Sequence, residues 1–177
     1  MGMVRLLLSD AVDAHDTDSL WSVYEAVFDD FSDQDTWRAA VWDKHTARQG
    51  FRVARAYEGD VLVGFAYGYT GDKGQWWTDN ALEALTPDIA QAWLGGHFEL
   101  VSLGVRESAR GAGIGRQLLR TLLDGLPHQR SVLMTSSDAS DPARLLYQSE
   151  GWHVLGPGIR ERTVIMGRRL VEEAHTA

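Results

Sequence analysis

Three glycines at alternate positions, Gly111, Gly113 and Gly115, separate an apolar run, ELVSLGV (99–105), from a run with helical periodicity, GRQLLRTLLDGL (115–126), and Arg110 and Arg116 flank them. That order reads as strand, tight loop and helix. A junction of this kind aims unpaired backbone N–H groups and the positive end of a helix dipole at one point, which suits a phosphate. Glycine is needed there because a side chain would hold the anion off the backbone, and because such turns use positive φ. The plainer alternative is an ordinary turn whose glycines only permit close packing.

Spacing separates the phosphate-loop classes. A dinucleotide loop requires G-x-G-x-x-G, but Arg116 stands three residues after Gly113 and Leu118 three after Gly115. A P-loop ends in Gly-Lys-Ser/Thr, and neither lysine, Lys44 or Lys73, is near. What matches is R-x-x-G-x-G, at Arg110, Gly113 and Gly115.

The rest of the chain alternates strand and helix signals. VRLLLSDA (4–11) predicts a first strand, and Leu20, Val23, Tyr24, Val27 and Phe28 fall at helical spacing. A second helix is expected to start near Ser32, with Trp37, Ala40, Val41 and Trp42 on its buried face. FRVARAYEGDVLVGFAYGYTG (51–71) predicts a hairpin turning at Glu58-Gly59-Asp60. Two short helical stretches follow, the second begun by Thr86 as cap and Pro87. Strands are expected at 97–105, 131–137, 152–156 and 161–170, and a capped helix over DPARLLYQSEG (141–151).

With ELVSLGVRESARGAGIGRQLL (99–119) as its centre and DPARLLYQSEGW (141–152) as a second motif at the right separation, the sequence resembles the GNAT acyltransferase superfamily over most of its length. It departs from the usual pattern at Glu107, where a proline is common, and at Ser140 and Asp141, where an asparagine is common. The resemblance implies an α/β (α+β) fold: one domain over residues 1–177, with a mixed, mostly antiparallel twisted sheet of about seven strands flanked by helices and splayed at the cofactor strand. It implies acetyl-CoA as co-substrate, with its diphosphate on Arg110, Gly111, Ala112, Gly113, Ile114, Gly115 and Arg116. The pantetheine arm would pair like a strand with Leu103, Gly104 and Val105. The Leu103 N–H falls where relatives polarise the thioester carbonyl.

An alkylamine of pKa about 10.4 is protonated at neutral pH, so its attack on that carbonyl needs a proton acceptor. Glu99 lies four residues before Leu103 on the same strand and with the same facing, because strand side chains repeat every two residues, and it matches the base position of some relatives. It reads equally as a strand-end glutamate in a salt bridge or water. His97, Asp138 and His153 are lesser candidates, read as surface or capping residues. Tyr147 stands where relatives protonate the leaving sulfur, or else packs in the core with Leu146 and Trp152. Acceptor choice would fall to the early helices and to residues 71–96, where Asp30 and Phe31, with Asp29 and Asp33 nearby, and Trp76 and Trp77 suggest an anionic aromatic pocket for a cationic amine. The competing account makes the acids helix caps and the tryptophans packing.

Composition narrows the alternatives. Net charge is −8, which repels nucleic-acid phosphates. There is no cysteine, so an acyl-enzyme on cysteine and disulfides are both excluded. No run approaches a membrane span or signal peptide, and Leu6 occupies the position a myristoylation motif reserves for Ser or Thr. The sequence therefore leads to a cytoplasmic, metal-free transferase moving an acetyl group to a primary amine by direct attack in a ternary complex, with a homodimer open. The rival is a non-catalytic acyl-CoA-binding module.

Overall fold

Val61–Gly71 forms the longest strand of the chain, β3, and its odd-numbered Phe65, Tyr67 and Tyr69 point into one core, as two-residue alternation requires. A two-residue loop at Gly59–Asp60 joins it to β2 (Arg52–Glu58). The computed structural model describes residues 2–170. Its seven-stranded mixed sheet has the order β1-β2-β3-β4-β5-β7-β6, adding β1 (Val4–Ser9), β4 (His97–Val105), β5 (Arg130–Ser136), β6 (His153–Pro157) and β7 (Thr163–Arg169). Pairing of β4 with β5 is parallel and runs only through Phe98↔Ser131 and Glu99↔Val132. The β1–β2, β2–β3, β5–β7 and β6–β7 pairings are antiparallel. Fold class and sheet type are as the resemblance implies.

The chain gathers into two compact units, divided inside β4. One holds the described residues up to Tyr69 with Leu100–Asp124; the other holds Thr70–Glu99 and the described residues from Gly125 onward. In the first, α1 (Ala14–Phe28) starts with a reciprocal cap: the Asp13 carboxylate accepts the Asp16 N–H and the Asp16 carboxylate accepts the Asp13 N–H. It buries Leu20, Trp21, Val23 and Tyr24 against β2 and β3 residues such as Val53 and Phe65. In the second, α4 (Trp76–Ala84) and α5 (Pro87–Trp93) bury Ala81, Ala90 and Trp93 with Val132, Leu155 and Ile165. Thr86 takes the cap position of α5, but its side chain makes no capping bond.

The second helix departs from expectation. It is a short α-helix, α2 (Gln34–Trp37), then a π-helical turn (Arg38–Trp42), then α3 (Asp43–Thr46). The Asp43 N–H reaches back five residues to the Arg38 carbonyl. In an α-helix residues five apart lie about 140° from each other, whereas a π turn brings them back to one face. Trp37 and Trp42 therefore stack, with centroids 5.0 Å apart and planes at 18°. Trp42 Nε1–H donates to Thr17 Oγ1 at 3.2 Å. The same turn leaves Ala40 exposed, where simple periodicity predicts it buried. Unfolding in urea should show Trp42→Ala losing about 3–5 kcal/mol of stability, whereas Ala40→Lys should change it by no more than about 0.5 kcal/mol.

Candidate active site

In the first unit, β4 ends at Val105 and a 3₁₀ turn (Glu107–Ala109) leads into the glycine loop. Gly111 and Gly113 have φ of 85° and 79°, the left-handed region that side chains rarely enter; Gly115 is already helical and does not share it. A Cβ at Gly111 or Gly113 would meet nothing within 4 Å. These glycines are not there to let protein pack on protein; their positive φ is what calls for glycine. The loop delivers the chain into α6 (Ile114–Leu123), whose N-terminus carries no side-chain cap. First-turn N–H groups have no intrahelical acceptor, and such a helix start can receive an anion. Ile114, Leu118, Leu119 and Leu122 are buried and hold the helix in place. Arg110 folds back, its Nε donating to the Val105 carbonyl at 3.0 Å.

Along β4, Val101 packs into the α1-side core, and three residues later Gly104 presents the same face, to Val27 and Phe28 of α1. Strict alternation would put residues three apart on opposite faces, so it is interrupted between Val101 and Gly104. The two-residue count that gave Glu99 and Leu103 one facing does not carry across this interruption.

In the second unit, Glu99 is buried on β4 at the last parallel pair with β5. α7 (Pro142–Ser149) carries Tyr147 and is started by Asp141, whose carboxylate accepts the Ala143 and Arg144 N–H groups. Tyr147 is buried beside Trp152, with ring centroids 6.0 Å apart, and its hydroxyl has no hydrogen-bond partner among the described residues. Burial, and then the charge of Asp141, push its pKa well above the usual tyrosine range.

The acceptor candidates divide between the units. Asp30 accepts the Tyr24 hydroxyl at 3.0 Å, and Phe31 lies 6.2 Å from the Tyr24 ring. Asp33 is the cap of α2, accepting the Thr36 N–H, as the plainer account held. Trp76 is 59% exposed at the start of α4. Trp77 is half-buried, 6.2 Å from the His97 ring. Asp138 accepts from Ser140 in a turn and His153 is exposed, in keeping with capping and surface roles.

His97 corrects the sequence reading, because it is 0% exposed and not a surface residue. Its Nδ1 accepts the Gly95 N–H at 3.0 Å, so the neutral ring carries its proton on Nε2. Gly71 leaves room for that edge, since a Cβ there would stand 2.1 Å from Nε2. Arg130 completes the turn, donating to the carbonyls of Trp93 and Gly95 at 2.9 and 2.6 Å. Arg106 was also missed. Its backbone N–H donates to the Val63 carbonyl, its Nε to the Leu62 carbonyl and its Nη2 to Ser22 Oγ at 2.8 Å, which braces the strand end that feeds the glycine loop. No local signal marks it, because these partners lie 44 and 84 residues away. Among the described residues no group of three or more His, Asp or Glu could hold a metal ion, and no helix is long and apolar enough to cross a membrane.

A profile of the Acetyltransferase (GNAT) family matches residues 16–152, a stretch that takes in parts of both units. A GCN5-like protein acetyltransferase of Mycobacterium tuberculosis is 29% identical over an aligned length of 147 residues, and the match covers 67% of this chain and 71% of that protein. PH1933 of Pyrococcus horikoshii OT3 superposes with a TM-score of 0.67 at 22% identity, covering 94% of this chain and 98% of that one. The PaiA N-acetyltransferase of Thermoplasma acidophilum, solved in complex with coenzyme A, superposes with a TM-score of 0.62 at 13% identity, covering 93% and 99%. The two structural likenesses are likenesses of fold.

Burial, then the positive charge of Arg130, hold the His97 pKa at about 4, below the ordinary 6.5. A depressed pKa means the fold favours the neutral ring, so this contribution is full above about 6.5 and is lost as pH falls toward 4. His45 behaves alike, held at about 4 by burial and by Arg48 and Lys44. Urea midpoints measured from pH 7 to 4 should fall less steeply in His97→Gln than in the parent protein; parallel slopes would mean that His97 is not buried in its neutral form.

Proposed function

The chain belongs to the acetyltransferase (GNAT) family, and from that premise we propose that it transfers an acetyl group from acetyl-CoA to a primary amine, by direct attack in a ternary complex. The observation that carries this reading is the loop: two left-handed glycines, open space where their side chains would be, and an uncapped helix N-terminus behind them. Such a shelf fits a diphosphate. The coenzyme A bound in the Thermoplasma relative is in keeping with it. Because the family match includes residues of both units, we read them as parts of one transferase domain.

Acetyl-CoA supplies an activated thioester. In this reading the N–H groups after Ala109 hold its diphosphate, and the edge of β4 at Leu103 and Val105 orients the pantetheine amides. The Leu103 N–H donates to the carbonyl oxygen as negative charge builds there. The amine nitrogen forms a bond to the carbonyl carbon, Glu99 receives the proton it sheds, and the carbon–sulfur bond breaks. Tyr147 gives the departing sulfur a hydrogen bond. A thiol has a pKa of about 8.5, so a tyrosine raised above its ordinary value of about 10 is a poor full proton donor but a persistent hydrogen-bond donor. Asp30, Phe31, Trp76 and Trp77 are the residues proposed to receive a cationic acceptor.

Thiol release from acetyl-CoA across a panel of primary amines tests the reaction; binding without release under any amine would instead favour an acyl-CoA-binding module. Tyr147→Phe and Glu99→Gln should each lower kcat on the order of 100-fold while leaving coenzyme A affinity nearly unchanged. Gly113→Val should do the reverse. Forcing a branched side chain into the left-handed region costs about 1–2 kcal/mol and puts methyl groups on the shelf, so the loss should appear in KM for acetyl-CoA.

A further inference from the structure

Phe28 ends α1 and is 39% exposed as a residue, while Leu20, Trp21, Val23 and Tyr24 of the same helix are buried. What it lies on is bare backbone. A Cβ at Gly104 would stand 3.2 Å from Phe28 Cε2, 3.4 Å from Cζ and 3.3 Å from Val27 Cγ1. The ring therefore covers β4 between Leu103 and Val105, at the one residue there that has no side chain. Behind it the Tyr24 ring is 4.9 Å away, and Tyr24 is itself fixed against Trp37 at 5.3 Å and Phe65 at 6.4 Å. The core side of Phe28 is thus occupied by other rings, and pushing it that way would disturb packed aromatics.

Together the glycine and the exposed ring make an apolar wall over one point of β4. From this we propose that Phe28 is a specificity-determining residue that limits the acyl group to two carbons, an inference that rests on the thioester lying along Leu103–Val105. A carbonyl oxygen held at the Leu103 N–H directs the acyl chain over the neighbouring residue, Gly104. A methyl group fits against the ring edge. A longer chain meets the ring, and must displace it or leave its place on the strand. Gly104 is then selected for the ring it admits, and the acceptor amine plays no part in the choice.

Calorimetric titration of the whole chain with coenzyme A, acetyl-CoA and butyryl-CoA tests this without an acceptor. The parent protein should bind butyryl-CoA at least about tenfold more weakly than acetyl-CoA. Phe28→Ala should bring the two within about twofold, and Phe28→Leu should fall between. Phe28→Leu also carries the comparison if the smaller residue unfolds the protein. Equal binding of both thioesters by the parent protein, or an unchanged preference in both variants, would overturn the wall and leave the transferase reading standing. Loss of all three titrations in the parent protein, coenzyme A included, would instead overturn the transferase reading and this inference with it.

Discussion

The turn from β4 into α6 passes through two residues in the left-handed region, and the rest of the candidate site depends on that backbone path. Left-handed conformation at Gly111 and Gly113 reverses the chain quickly enough for the first helical turn to follow the strand without a long connection. Because no side chain fills the space above the turn, the unsatisfied N–H groups of the helix start are presented outward. Anchoring comes from elsewhere: Ile114, Leu118 and Leu122 bury the helix, and Arg106 and Arg110 tie the strand end by bonds to carbonyls and a hydroxyl. Preorganised donors are useful to an anion only if they do not have to move to meet it.

Two different kinds of order support the chemistry. The first unit is stiffened by aromatic stacking, in which a π turn aligns Trp37 with Trp42 and a chain of rings runs through Tyr24 to Phe28. The second is stiffened by half-buried polar groups with specific partners, such as Arg130 on the carbonyls of Trp93 and Gly95, and Asp141 at the start of α7. Parallel pairing of β4 and β5 stops at Glu99↔Val132, so the proposed base stands at the last residue the ladder holds. Tyr147 is buried beside Trp152, and that burial keeps its phenol in the neutral, protonated form.

Much of this was legible in one sequence, and for a common reason. Glycines at 111 and 113, the alternation along β3 and Asp141 before Pro142 are signals about local backbone, and local backbone obeys rules that act over a few residues. The expected base and tyrosine fall on the elements foreseen for them. Ala40 and His97 were misjudged because exposure is not a local property. One extra residue in a turn rotates Ala40 outward, and burial of His97 needs a glycine 26 positions earlier to leave space.

By itself, then, the sequence determined the strand–glycine–helix junction and the order of strands and helices, since each follows from conformational preference at adjacent positions. Only the tertiary structure decided which face Trp42 presents, that Arg106 braces the loop through Ser22 and Leu62, and that Phe28 lies on Gly104. Those facts join residues separated by tens of positions, and packing in three dimensions, which no local preference encodes, brings them into contact.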